Sequence, residues 1–107
     1  MEDAIKRIYV PMTEAAFYIL LSLRTEMHGY NIVQDVGGLT GGEVIISPGT
    51  MYGTLSKMEK DGLIAQTKEE GKRKYYLATD LGLEVLDQEL RRINRLYHNS
   101  KGEVFHD

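Results

Sequence analysis

SPGTMYGTLSKMEKDGLIAQTKEEGKRKYYL, from Ser47 to Leu77, is the stretch on which the reading of this 107-residue chain turns. Ser47 is a strong helix N-cap residue. Pro48 follows at the first helical position, where its missing N–H is harmless and its φ is preset. Met51, Leu55 and Met58 fall at i, i+4 and i+7, one inward stripe, and Gly62 stands past the last turn, where glycine is favoured. This spacing predicts a short amphipathic helix. Its opposite face carries Thr50, Tyr52, Gly53, Ser56, Lys57 and Lys60, with almost nothing large to obstruct close approach. Beyond Gly62, residues 63–67 predict a strand, 68–71 a polar turn and 72–77 a returning strand. The basic run Lys72-Arg73-Lys74 stands at the tip of that hairpin.

A helix entering the roughly 12 Å wide major groove wants small hydroxyl residues near its N-terminus and a basic residue further on. A basic hairpin tip followed by tyrosines suits a sugar–phosphate backbone. Each piece has a plainer explanation, an ordinary surface helix and a solvated charged turn. Their adjacency favours the recognition helix and wing of a winged helix-turn-helix.

Upstream, Thr13 is an N-cap candidate with Glu14 behind it, opening a helix whose stripe is Ala16, Leu20, Leu23 and Met27. Phe17, Ile19 and Leu21 widen the stripe, so this helix is expected to be buried on two sides. One side belongs to the domain core. The other is either a dimer contact or further burial in the same chain. His28-Gly29 breaks the helix, and a shorter one from about Tyr30 turns Val33 and Val36 inward. Gly37 to Glu43 holds four glycines, a flexible loop or frayed helix end without the pattern of a nucleotide-binding loop. Val44-Ile45-Ile46 predicts a brief strand, third in a sheet with the hairpin. Residues 1–12 form a lead-in arm that either packs on something or stays partly ordered.

Downstream, Thr79 and Asp80 open the longest helix, to about Tyr97. Leu83, Leu86, Leu90, Ile93 and Tyr97 fit a heptad stripe. The stripe is longer than a small winged domain covers by itself, so a dimerising helix is favoured over one folded back on its own domain. Residues 99–107 lack periodicity and read as a frayed tail.

The expected architecture is mainly α with a small β-wing: an arm over 1–12, a winged helix-turn-helix over 13–78, a C-terminal dimerisation helix over 79–98 and a tail over 99–107. Net charge is −3, but its distribution matters more than its sum. Residues 1–46 hold three basic and six acidic side chains, residues 47–77 six and four, and residues 78–107 four and six. Positive charge concentrates on the segment expected to touch nucleic acid. The chain has no cysteine, which removes disulfides, thiolate catalysis and cysteine-based zinc sites. No apolar run approaches a membrane span, and the N-terminus lacks a signal-peptide core, so the expected location is the cytoplasm. His28, His98 and His106 are far apart without ligand-like spacing, and nothing resembles an activated nucleophile. No catalytic residue, metal or cofactor is therefore expected.

AFYILLSL, HGYNI, SPGTMYGTLSKMEKDGLI and GKRKYYLATDLG occur in the order and spacing of the PadR-like transcriptional regulators, which the chain resembles from about Thr13 to Leu90. The resemblance implies a dimer formed through the first and last helices, repressing transcription at an inverted-repeat operator in double-stranded DNA. It places Ser47, Thr50 and Lys57 toward DNA, makes Tyr52 the usual tyrosine, and matches Lys72, Arg73 and Lys74 to the basic wing. The exposed helix face adds Tyr52 and Gly53 to the expected DNA-binding set. The expected dimer interface is Phe17, Leu20, Leu83, Leu86, Leu90, Ile93 and Tyr97. Some small members bind aromatic or multidrug ligands between subunits. For a small aromatic or hydrophobic effector here, Phe17, Leu20, Leu86 and Ile93 are the candidate lining, and a packed interface explains the same residues equally well. The chain has no tryptophan, the residue drug-binding members use to stack flat ligands. The competing reading is a winged-helix protein-interaction module that leaves DNA alone, since fold by itself does not separate the two.

Overall fold

The computed structural model describes residues 2–106. Met1 and Asp107, the outer ends of the expected arm and tail, lie outside the described residues. The elements run α1 (Glu2–Tyr9), α2 (Glu14–Ser22), β1 (Met27–His28), α3 (Gly29–Leu39), α4 (Pro48–Lys60), β2 (Ile64–Glu70), β3 (Arg73–Ala78) and α5 (Asp80–Ser100). The architecture is mainly helical with a three-stranded antiparallel sheet in the order β1-β3-β2.

Local chemistry sets most of these boundaries. Thr13, Ser47 and Thr79 each accept a backbone N–H three residues ahead, capping α2, α4 and α5. Pro48 opens α4, and Gly62, with φ +81°, follows the Asp61 C-cap, as expected. Met51, Leu55 and Met58 point into one core with Ile19, Leu20, Leu23, Ile32, Val36, Leu63 and Val85. Thr79 also donates its hydroxyl to the Gly62 carbonyl at 2.6 Å, tying the start of α5 to the end of α4.

Residues 2–9 of the arm form a helix, and Tyr9 is buried with its hydroxyl donating to Asp61 at 2.7 Å. Several other expectations are corrected. α2 ends at Ser22, short of Met27, because residues 23–25 turn on hydrogen bonds back to residues 19–22. Met27 and His28 instead pair with Tyr76 and Tyr75, so they supply the third strand. Val44-Ile45-Ile46 does not: Ile46 enters the core, Ile45 is exposed, and Val44 donates its N–H to Thr40 Oγ1 at 3.1 Å. On α3 it is Ile32 and Val36 that are fully buried, with Val33 half-buried. α3 continues through Gly37-Gly38 to Leu39, where Thr40 returns its hydroxyl to the Val36 carbonyl.

The hairpin is longer than expected. A bulge between Gln66 and Lys68 resets the register, β2 continues to Glu70, and the turn is Gly71-Lys72 alone. Gly71 has φ +60°, the conformation a two-residue hairpin turn requires at its first position.

α5 behaves differently along its length. Its first half buries Gly82, Val85, Leu86 and Glu89 against the body. Its second half leaves Ile93, Leu96 and Tyr97 38–57% exposed, so the apolar stripe begins in the core and ends in the open. The tail is no frayed end up to His106. Glu103 donates its N–H to the His98 carbonyl and its carboxylate meets His98 Nδ1 at 2.8 Å. Phe105 is half-buried and its ring lies 6.2 Å from that of His98. Among the described residues no helix is long and apolar enough to cross a membrane.

Candidate nucleic-acid interface

Residues advance by about 100° around a helix. With Met51, Leu55 and Met58 directed inward, Gly49, Gly53, Ser56 and Lys60 occupy the far side of α4. Tyr52 stands on one flank, and Thr50 with Lys57 on the other. All seven are exposed, and Tyr52 keeps 63% of its surface. α4 packs mainly against α2, α3 and β2, and the exposure of these seven residues shows that no described segment covers this face.

Gly29 fixes where Tyr52 lies. A Cβ at Gly29 would stand 3.3 Å from Tyr52 Cε1, so the bare first turn of α3 is what lets the tyrosine ring lie against it. Across from Tyr52 stands the wing. His28, Gly29, Tyr30, Tyr52, Lys72, Arg73, Lys74 and Tyr76 line one cleft of about 420 Å³. Among the described residues Lys72, Arg73 and Lys74 make no ion pair, although Glu70 and Glu69 stand opposite Arg73 and Lys74 in the β2–β3 ladder. Lys68, one turn of the hairpin away, contrasts with them: it is held by Glu70 at 3.0 Å and Glu26 at 3.6 Å. The hydrogen bond and charge of Glu70 raise its pKa. Burial, with Glu59 and Glu69 nearby, raises the pKa of Tyr76, so its phenol stays a protonated donor.

The eight residues expected at DNA thus fall into three groups. Tyr52, Lys72, Arg73 and Lys74 meet in the cleft. Thr50, Gly53 and Lys57 border a second groove, of about 370 Å³, against Tyr9, Pro11 and Thr13. The Lys57 ammonium lies 5.0 Å from the Tyr9 ring centroid, which steadies it beside α4. Ser47 is occupied locally, accepting the Thr50 N–H at 3.2 Å and donating to the Thr50 hydroxyl at 3.0 Å.

The expected dimer and effector residues need correction. Leu20 and Leu86 are 0% and 2% exposed within one chain, so they have no surface to give a partner or a ligand. Of the four expected cavity residues, Phe17 and Ile93 alone keep surface. Leu83, Leu90, Ile93 and Tyr97 are exposed, and Leu96 joins them.

Sequence reasoning took His28 as a helix break and overlooked Glu89. Both are buried polar side chains. His28 caps α3, its Nδ1 accepting the Asn31 N–H at 3.3 Å. Burial and the neighbouring Arg73 charge lower its pKa below the ordinary 6.5.

A helix presenting a bare face beside a cationic hairpin defines the class: a winged helix-turn-helix protein. Comparison with known proteins agrees. The family described as "Transcriptional regulator PadR-like family" matches residues 19–88, and the chain belongs to that family. Transcriptional regulator YqjI of Escherichia coli K12 is 30% identical over 78 residues, covering 73% of this chain and 38% of that protein. The chain therefore spans well under half the length of that relative. A PadR family transcriptional regulator from Eggerthella lenta superposes with a TM-score of 0.72 at 25% identity, over 92% of this chain and 84% of that one. Bacillus subtilis PadR, solved in complex with operator DNA, gives a TM-score of 0.65 at 28% identity, over 75% and 48%.

Proposed function

We propose that this protein is a sequence-specific DNA-binding transcriptional repressor that acts as a homodimer on an inverted-repeat operator. The observation that carries the proposal is the shared cleft, in which Tyr52 of α4 faces three cations of the wing that have no partner among the described residues. Exposed cations are satisfied by water alone, but three of them gathered across a cleft from the bare helix suit the duplex backbone, whose phosphates they would neutralise with release of counterions. The bare far side of α4 supports major-groove entry, with the two half-site centres separated by about 34–36 Å. The open stripe on the second half of α5 supports pairing with a second copy. That the Bacillus subtilis relative was solved on operator DNA supports the same reading.

The test is a gel shift with the DNA upstream of the protein's own gene, against random duplex of equal length. Specific retention with a two-fold symmetric footprint is the expected result. Lys72→Ala with Arg73→Ala is expected to weaken binding to both duplexes and to flatten the salt dependence by a slope of up to about 2. Equal and salt-independent retention of both duplexes would overturn the proposal.

A further inference from the structure

We infer that His28 is itself a phosphate-binding residue of this interface, its Nε2–H donating to a backbone oxygen of duplex DNA seated in the cleft. The inference rests on the function proposed above, and adds to it a residue and a kind of contact that the basic wing does not provide.

The imidazole has two duties on two atoms. Nδ1 accepts the Asn31 N–H at 3.3 Å, so it carries no proton, and the proton of the neutral ring is on Nε2. Among the described residues nothing accepts from Nε2. Yet no fully buried side-chain nitrogen or oxygen among them lacks a partner. His28 is only 5% exposed, so that small remainder includes Nε2, and the residue lines the cleft with Lys72, Arg73 and Lys74.

The donor is also held still. The Tyr30 ring stacks on the imidazole with centroids 6.5 Å apart, and the Tyr75 ring meets it edge-on at 5.1 Å. Backbone pairing of His28 with Tyr75 fixes the Cα beneath. A fixed donor at the first turn of a helix, walled by unpaired cations, is arranged for an anion. Tyr52 on the opposite wall belongs to the helix proposed to enter the groove, so the anion within reach is a phosphate flanking that groove.

A neutral donor leaves a signature that a lysine does not. It releases no counterion, so losing it lowers affinity at every salt concentration without changing the salt slope. Two substitutions separate the two duties of the ring. In His28→Asn the side-chain oxygen takes the place of Nδ1 and keeps the cap, but the amide stops one atom short of Nε2. In His28→Gln the amide N–H stands near the place of Nε2 while the cap is lost.

The experiment is fluorescence anisotropy with a random-sequence duplex of about 30 base pairs over a salt series, each variant held well below its melting temperature. His28→Asn keeps the cap but loses the packing of the ring, so it should melt below the wild type, and it should bind about tenfold more weakly with an unchanged slope. His28→Gln should melt lower and bind within about twofold of the wild type. Wild-type affinity in His28→Asn overturns the inference. So does a slope reduced by about 1, which would mark a cationic contact. An equal loss in both variants also overturns it, because the residue would then act through the fold alone. A wild type that binds no duplex at all overturns the proposed function instead.

Discussion

The carboxylate of Glu89, on α5, accepts the backbone N–H of Met12, in the link between α1 and α2, at 3.2 Å. Glu89 is 1% exposed, and Arg92 Nε reaches both of its oxygens, at 3.0 and 3.1 Å. Glu89→Ala would leave a part-buried N–H without an acceptor, Arg92 without its partner and a void. Arg92 is partly exposed and can turn to water, which trims the penalty. Glu89→Ala is expected to lower the unfolding free energy by about 2–4 kcal/mol. Glu89→Gln, which keeps an acceptor for Met12, should lower it by about 1–2 kcal/mol. Urea unfolding at constant m-value measures both, and equal losses would mean that the tie to Met12 contributes nothing.

Gly82 meets Leu63 more closely than any side chain permits. A Cβ at Gly82 would stand 2.0 Å from the Leu63 carbonyl oxygen, which already accepts the Thr79 N–H at 2.9 Å. Neither group can retreat without opening the corner between β2 and α5. Gly82→Ala is therefore expected to cost about 3 kcal/mol or more, lowering the melting temperature by roughly 10–20 °C. A thermal scan showing a change of only a degree or two would mean that α5 shifts freely.

Much of this was readable from the chain because it is local. Ser47, Pro48 and Gly62 bound α4 through contacts within a few residues, and the caps at Thr13 and Thr79 are equally local. What escaped depends on remote partners. Met27-His28 has no periodicity of its own and is a strand because β3 offers it an edge. Val44-Ile45-Ile46 has better strand composition and no such edge. Glu89 with Arg92 at i+3 reads as a surface pair, and its burial depends on Met12, distant in sequence. The heptad stripe of α5 names residues on one side of a helix, but not where along it the body ends. Leu86 and Ile93 therefore look alike in sequence and differ in place.

Gly53 should separate stability from binding. A Cβ there meets nothing within 4 Å, on the far side of α4. Gly53→Ala should therefore stabilise the fold by about 0.5–1 kcal/mol through helix propensity. Larger side chains should obstruct the groove contact, so Gly53→Leu is expected to keep the fold and lose most of the operator affinity. Melting curves and gel shifts on the same preparations check both halves. Unchanged DNA affinity in Gly53→Leu would place the contact elsewhere on α4.

The burial of His28 makes stability fall with acid. Its native pKa lies below the ordinary 6.5, because the ring is buried and Arg73 is near. The unfolded chain therefore takes up this proton first as pH drops. Above about 6.5 the contribution is fully present, and it is lost as pH falls from there toward the native pKa. Urea midpoints at pH 7 and pH 5.5 should drop more in the wild type than in His28→Asn, which has no ring to protonate. Parallel drops in the two proteins would assign the acid sensitivity to other groups.

Pairing through α5 predicts a separation between two leucine-like positions on one stripe. Leu86 belongs to the core of its own chain, whereas Ile93, one heptad further on, is 38% exposed beyond the body. Ile93→Glu would set a charge in the middle of the proposed interface and touch no core residue. It is expected to keep the thermal unfolding of the single chain while weakening dimerisation by 100-fold or more, by roughly the 3 kcal/mol or so that burying an unpaired charge costs. Leu86→Ala should do the reverse, costing about 2–4 kcal/mol of fold stability through the cavity it leaves. Sedimentation equilibrium across a concentration series reads the first effect and denaturant unfolding the second. If Ile93→Glu sediments as the same dimer as the wild type, the pair forms through another surface. The half-site spacing that depends on α5 would then have to be derived from that surface.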